Sequence, residues 1–302
     1  MFIRQFEYLL ALEKERHFGR AAESCHVSQP SLSSGINQLE EELGVRIILR
    51  HHRFMGFTQE GERVIEWSKR LLADQKGMVD DLAVMRNNLS GSLRIGAMPM
   101  SSPVLPIINK IFSNQFPFIK FNIQFVGSDT LIKQLNNFEI DVGITYIEEI
   151  KKNRYQKTKL YTENLSLMIP DEFLPSDKTQ ITWKEASKLP LCLLPAFMKE
   201  REVMDQAFDD VNCKPEPKLE CNSIFQLAFH VMHGAIATIV PSGFCSANDA
   251  FPGTREIPLM KPLISKPVGL IWQNVNPPLS MPNALSEVLM NAHDEINDAM
   301  KY

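Results

Sequence analysis

Residues 18–50 read FGRAAESCHVSQPSLSSGINQLEEELGVRIILR, two short helices with a tight break between them. Ala21 and Ala22 give the first helix a small face that packs closely on a neighbour. Cys25-His26-Val27 is the break, and Ser28 stands where a second helix needs its N-cap. Pro30 falls in that helix's first turn, where its missing N–H costs nothing. Leu32, Ile36, Leu39 and Leu43 recur at spacings of four and three, one buried stripe, and Gly44 closes the run. The face left over is Gln29, Ser31, Ser33, Ser34, Asn37 and Gln38. It is polar and uncharged, suited to hydrogen bonding with base edges and phosphates in a major groove. Small helical pairs with a polar outer face are common, so spacing alone leaves this reading and an ordinary solvated surface both open.

Upstream, residues 2–16 read as a helix that packs behind the pair through Phe6, Leu9 and Leu10. Downstream, VRIIL predicts a strand, a basic tip follows, and residues 54–57 return as the second strand of a wing. Thr58 then caps a long helix with Glu60 and Glu62 in its first turn. Along it Val64, Trp67, Leu71, Met78, Leu82, Met85 and Leu89 form a narrow apolar seam that calls for a partner helix, so the segment is expected to be a dimerising linker. The alternative is a helix packed on its own domain.

Ser90-Gly91 marks a change of texture to alternating strands and helices, which predicts a parallel sheet with crossover helices. SLRIGAM, FNIQFV and DVGITY are strands of a first unit, and LSLMIP, LPLCLLP, KLECN and AIATIVP belong to a second. KPVGLIW returns to the first unit, and residues 282–301 close it as one amphipathic helix.

The chain of 302 residues has a net charge of −4, which offers no global attraction to nucleic acid. Locally, Arg46, Arg50, His51, His52 and Arg53 stand without an acid among them, and Arg16 and Arg20 lie near the pair. Such clusters supply phosphate contacts. Five cysteines without a C-x-x-C indicate neither a zinc site nor a disulfide framework. No apolar run is long enough to span a membrane and no cleavable signal pattern opens the chain, so a cytoplasmic protein is expected. G-x-S-x-G, P-loop and G-x-G-x-x-G motifs are absent, which argues against an α/β enzyme, and the missing signal argues against a plain solute-binding protein.

The string RAAESCHVSQPSLSSGINQLEEELGV, followed by an arginine-rich wing and the T-x-E-G of residues 58–61, resembles the winged helix-turn-helix of LysR-type transcriptional regulators. CNSIFQLAFHVMHGAIATIVP is similar to a late signature of that family. The resemblance implies an α plus α/β fold. A reading domain would span residues 1–58 and a dimerisation helix 59–90. A two-lobed, periplasmic-binding-protein-like effector domain would span 91–302, with lobe I at 91–161 and 267–302 and lobe II at 162–266. It also implies promoter DNA, RNA polymerase and further copies of the chain, as a tetramer, as partners. No cofactor is expected beyond a small-molecule effector.

DNA contacts are expected from Arg20, Ser28, Gln29, Pro30, Ser31, Ser33, Ser34, Asn37, Arg50 and Arg53. The family commonly carries arginine after the serine at positions 33–34, where this chain has Ser34, so its operator cannot be borrowed. The effector is expected between the lobes, outside the carboxyl ends of strands. Candidate contacts are Met98, Pro99, Met100, Ser101 and Ser102, then Gly127, Ser128 and Asp129, then Ala196, Phe197, Lys199 and Arg201. Caps and hydroxyls of this kind suit a small anion or carboxylate, although each serine could serve only as a cap. Some family members sense oxidants through a cysteine pair. The corresponding segment here, 196–208, holds no cysteine, so oxidant sensing through other Cys or Met residues is the alternative.

Overall fold

The computed structural model describes residues 1–50, 54–86, 89–148, 150–151, 153–173, 175, 177–246 and 250–300. They fall into two units, 1–87 and 88–302.

In the first unit, α1 (Ile3–Glu15), α2 (Phe18–Ser24) and α3 (Gln29–Leu43) precede a wing of β1 (Ile48–Arg50) and β2 (Phe54–Phe57), and α4 (Gln59–Met85) follows. Local chemistry fixes the starts of α2, α3 and α4. The side chains of His17, Ser28 and Thr58 accept from the N–H groups of Arg20, Ser31 and Gly61. Gly44 ends α3 at φ 68°, the left-handed turn that glycine adopts freely. Leu9, Leu12, Leu32, Ile36, Leu39 and Ile47 make the fully buried centre. Buried Glu40 ties the wing to α3 by accepting from Ile47 and Ile48 N–H at 2.8 and 3.0 Å. Gly35 costs α3 some helix propensity, and packing explains it: a Cβ there would lie 2.8 Å from the Tyr8 ring of α1.

The N-terminal half of α4 packs on its own unit through Val64, Ile65 and Leu72, with Lys69 paired to Glu13 at 2.8 Å. Its outer seam is bare. Trp67, Leu71, Met78, Leu82 and Met85 are exposed, Met85 by 74%. Leu89 does not continue that seam: the helix stops at Met85, and Leu89 is buried at 2% exposure.

The second unit begins with β3 (Gly91–Ala97), a 3-10 turn at Pro99–Val104, α5 (Leu105–Gln115), β4 (Ile119–Phe125), α6 (Ser128–Asn136) and β5 (Val142–Tyr146). There follow β6 (Tyr155–Pro170), β7 (Ile181–Thr182), α7 (Trp183–Ala186), β8 (Cys192–Leu193), α8 (Lys199–Asp209), β9 (Leu219–Glu220) and α9 (Ile224–His233). The chain closes with β10 (Thr238–Pro241), β11 (Thr254–Met260), β12 (Ser265–Gln273), α10 (Ser280–Asn291) and α11 (His293–Ala299).

One sheet of order β4-β3-β5-β12-β6-β11-β7, with β10 on β6, runs through both lobes. The expectation of a parallel sheet holds for β3, β4 and β5 and for β8 and β9, and is corrected where β6 and β12 pair. β3 is parallel to β4 and β5, but β12 is antiparallel to β5 and β6, and β6 to β10 and β11. The reason is that β6 and β12 are the connections between lobes, so they replace crossover helices there. β6 pairs with β12 up to Asn164 and with β10 and β11 from Leu165 onward. LPLCLLP contributes only Cys192 and Leu193 to a strand, and the closing helix breaks at Ala292 into α10 and α11. Among the described residues, no helix is long and apolar enough to cross a membrane.

Candidate DNA-reading surface and effector cleft

The exposed face of α3 carries Gln29, Pro30, Ser31, Ser34 and Gln38, with Ser33 and Asn37 half-buried beside it. Ser28 is occupied: its Oγ accepts from Ser31 N–H at 3.3 Å and lies 2.8 Å from Ser31 Oγ. Arg20 is exposed, but its guanidinium donates to Glu15 O at 2.6 Å and lies 3.4 Å from the Glu15 carboxylate. Arg16 stacks over Phe57 and Phe54, at 5.2 and 6.0 Å, which holds a cation against the wing base. Arg46 is exposed at the start of the wing. The backbone of Arg50 closes the ladder opposite Phe54. Arg53, with His51 and His52, lies outside the described residues.

In the second unit a cavity of about 230 Å³ is lined by Pro99, Ser102, Phe125, Asn222, Ser223, Ile224 and Phe225. Of the twelve residues expected at an effector, this cavity brings Pro99 and Ser102 together. Ser101 is fully buried and its hydroxyl is spent on Met98 O at 2.7 Å. Ser102 Oγ is buried with no partner among the described residues. Met98 and Met100 are core residues at 0% exposure. Gly127 precedes α6, where Ser128 meets Thr145 at 3.0 Å and Asp129 faces solvent. Ala196 and Phe197 are exposed ahead of α8. Lys199 pairs with Glu202 at 3.0 Å. Arg201, expected to meet ligand, is a structural residue instead: 6% exposed, it donates to Leu194 O, Asp205 and Glu220, each at 2.7 Å.

The lining residues absent from the sequence expectation are Phe125 and Asn222–Phe225. The available signal was Ser223, a cap residue ahead of the apolar run in CNSIF. Its Oγ accepts from Gln226 N–H and starts α9, whose first N–H groups have no intrahelical acceptor. Two buried acids were also missed. Tyr146 Oη donates to Glu163 Oε1 at 2.5 Å. Burial pushes the Glu163 carboxyl up to about 8, against the Tyr146 hydrogen bond. Burial likewise pushes Glu200 up to about 7, although the N–H groups of Glu200 itself and Met100 face it. Neither Glu200 oxygen completes a well-formed hydrogen bond among the described residues.

The five cysteines are free thiols. Burial raises Cys192 to about 11 and Cys245 to about 12, and also raises Cys25. Among the described residues no group of three His, Cys, Asp or Glu side chains is placed to hold a metal ion.

A three-helix reader with a wing, a long helix bare along one seam, and a two-lobed α/β unit with a cavity together define a DNA-binding regulator built around a ligand-binding domain. Residues 3–62 match the bacterial regulatory helix-turn-helix protein, lysR family, and residues 86–292 match the LysR substrate binding domain. The chain belongs to the LysR family of transcription regulators. It is 28% identical over 291 residues to the DNA-binding transcriptional dual regulator OxyR of Escherichia coli K12, covering 96% of this chain and 95% of that protein. A full-length OxyR cysteine variant from Pseudomonas aeruginosa superposes with TM-score 0.75 at 26% identity, covering 98% of this chain and 94% of that one. CbnR bound to its target DNA shares the fold, with TM-score 0.70 at 18% identity over 97% of this chain and 100% of that one. Double-stranded DNA is accordingly the partner of the first unit, and the second is an effector-binding domain.

Proposed function

We propose that the regulator responds to a small anion or carboxylate bound in the Pro99–Phe225 cavity, and that occupancy changes how paired reading heads engage promoter DNA. The observation that carries this is Ser102 Oγ, buried without a partner among the described residues, at a cavity wall that also holds the N-terminus of α9. An acidic head group would take the hydroxyl and the free N–H groups. The exposed Phe125 and Phe225 would flank an apolar body. Lys199 and Arg201 are engaged by acids, so backbone dipoles rather than a side-chain cation would hold the charge. The bare seam of α4 supports pairing of two copies, and the family resemblance extends this to a tetramer. The reading includes no enzymatic step, no cofactor and a cytoplasmic protein.

The test is a thermal-shift titration of the full-length chain with small inorganic anions, aliphatic acids and aromatic acids. A dose-dependent rise in Tm with one class, lost in Ser102→Ala, supports the site. A rise unaffected by that substitution places the ligand elsewhere. For the reader, Asn37→Ala is expected to weaken specific binding by about 1–3 kcal/mol while non-specific binding changes little. Equal loss of both removes base reading from Asn37.

A second reading, oxidant sensing, is favoured by similarity to proteins named hydrogen peroxide-inducible genes activators. The raised thiols of Cys192 and Cys245 oppose it, because the thiolate is the reactive form. A peroxide-dependent change in DNA binding that is abolished in a cysteine-free chain would establish it.

A further inference from the structure

Among the described residues, four buried oxygens without partners lie within electrostatic reach of one another in the second unit, those of Tyr161, Glu163 and both carboxylate oxygens of Glu200. A fifth, of Ser102, lines the cavity described above. These residues come from the turn after β3 in the first lobe, from the connecting strand β6, and from the start of α8 in the second lobe. Glu163 and Glu200 are 3% and 1% exposed, and the charge of Glu200 acts on Glu163.

Among the described residues, no positive charge is paired with either acid. Tyr146 on β5 donates to Glu163. Tyr161 lies within electrostatic reach of Glu163, and the Met100 N–H faces Glu200. Lys266 stands opposite Glu163 in the β6–β12 register, but it is held by Glu148 at 2.8 Å. Arg201 is taken by Asp205 and Glu220, and Lys199 by Glu202. Ionising both acids would place two like charges in a desolvated spot without compensation. Either a proton must enter, or the lobes must part and admit water.

We propose that Glu163 and Glu200 form a proton-operated latch between the lobes: proton uptake by the pair holds the cleft closed, and proton loss opens it. The positions of the two carboxyls, near 8 and near 7, set the exchange around neutral pH. A closed form that binds more protons than the open form gains population as pH falls and loses it as pH rises. The latch acts without any effector, so it stands apart from the ligand reading above.

The experiment is hydrogen–deuterium exchange on the full-length chain without added ligand, corrected for the intrinsic rate, at about pH 6 and about pH 8.5. Protection of segments 98–103 and 197–202 is expected to fall about tenfold or more at the higher pH. In Glu200→Gln the fall is expected to shrink to what Glu163 alone supplies. Equal protection of the wild-type chain at the two pH values overturns the proposal, and so does an undiminished pH effect in Glu200→Gln. Glu163→Gln is judged by the same criterion if the first variant does not fold. The wild-type comparison decides if neither variant does.

Discussion

The reading unit and the lobe crossing of the effector unit use polar groups in opposite ways. In the reader, Ser28 and Thr58 complete helix ends, buried Glu40 accepts two wing N–H groups, and the remaining polar residues of α3 face outward. One buried polar atom there, Gln5 Nε2, has no partner among the described residues. Around Glu163 and Glu200 there are four, all oxygens, and Ser102 Oγ at the cavity wall makes a fifth. A rigid reader gains from complete pairing, since each unmet buried group costs about 1–3 kcal/mol. A domain that must change shape on binding a ligand keeps groups that a ligand, a proton or water can satisfy. The contrast separates a part that holds geometry from a part that responds.

The strongest way to break this comparison is steric. Gly61 lies against the wing base, where a Cβ would stand 2.1 Å from the Ile47 carbonyl oxygen, a backbone atom that cannot yield cheaply. Gly61→Val is therefore expected to prevent the reading unit from folding. Limited proteolysis should remove residues 1–87 and leave 88–302 protected, with all specific DNA binding lost. A variant that binds its operator normally would show that the wing base is softer than its packing implies.

Next in size is an electrostatic lesion in the responsive unit. Arg201→Ala leaves Leu194 O without its donor and frees Asp205 of α8 and Glu220 of β9. Both acids are partly exposed, at 42% and 44%, so water softens the loss. The expected destabilisation is about 1–3 kcal/mol, read as a lower denaturant midpoint for the unit 88–302 at unchanged slope. A neutral outcome would return Arg201 to the pool of ligand contacts.

How much of this was legible in the sequence follows the same division. The reader is local. Ser28, Pro30 and Gly44 each act within one turn, and the stripe through Leu32, Ile36 and Leu39 is a property of one helix, so the sequence displays it directly. The effector unit is not local. The first half of β6, YQKTKLYTEN, is polar, and it becomes a strand because β12 returns across the full length of the domain to pair with it. Its mixed charges give no period-two signal. Residue type also hides Glu200, because a glutamate between Lys199 and Arg201 reads as solvated surface, yet at 1% exposure it is the most deeply buried of the three. The sequence pointed to Ser101 and Ser102 together. Only packing distinguishes the hydroxyl spent on Met98 O from the one left free.

The smallest expected effect sharpens the contrast within one turn of helix. Lys199 and Arg201 look alike in the sequence as basic residues at the start of α8, but the Lys199–Glu202 pair is open to water, with side chains 33% and 56% exposed. An exposed pair at this spacing contributes about 0.5 kcal/mol or less, and salt screens it. Lys199→Ala should therefore leave stability almost unchanged, while Arg201→Ala, two residues away, lowers it several-fold more. Any effect of Lys199→Ala should fade further between low and high ionic strength, and the Arg201 effect should persist, because its nitrogens are enclosed. If Lys199→Ala instead abolishes an anion-induced rise in Tm at unchanged stability, the lysine leaves Glu202 when ligand arrives. The charge in the cleft would then come from a side chain and not from the α9 N-terminus.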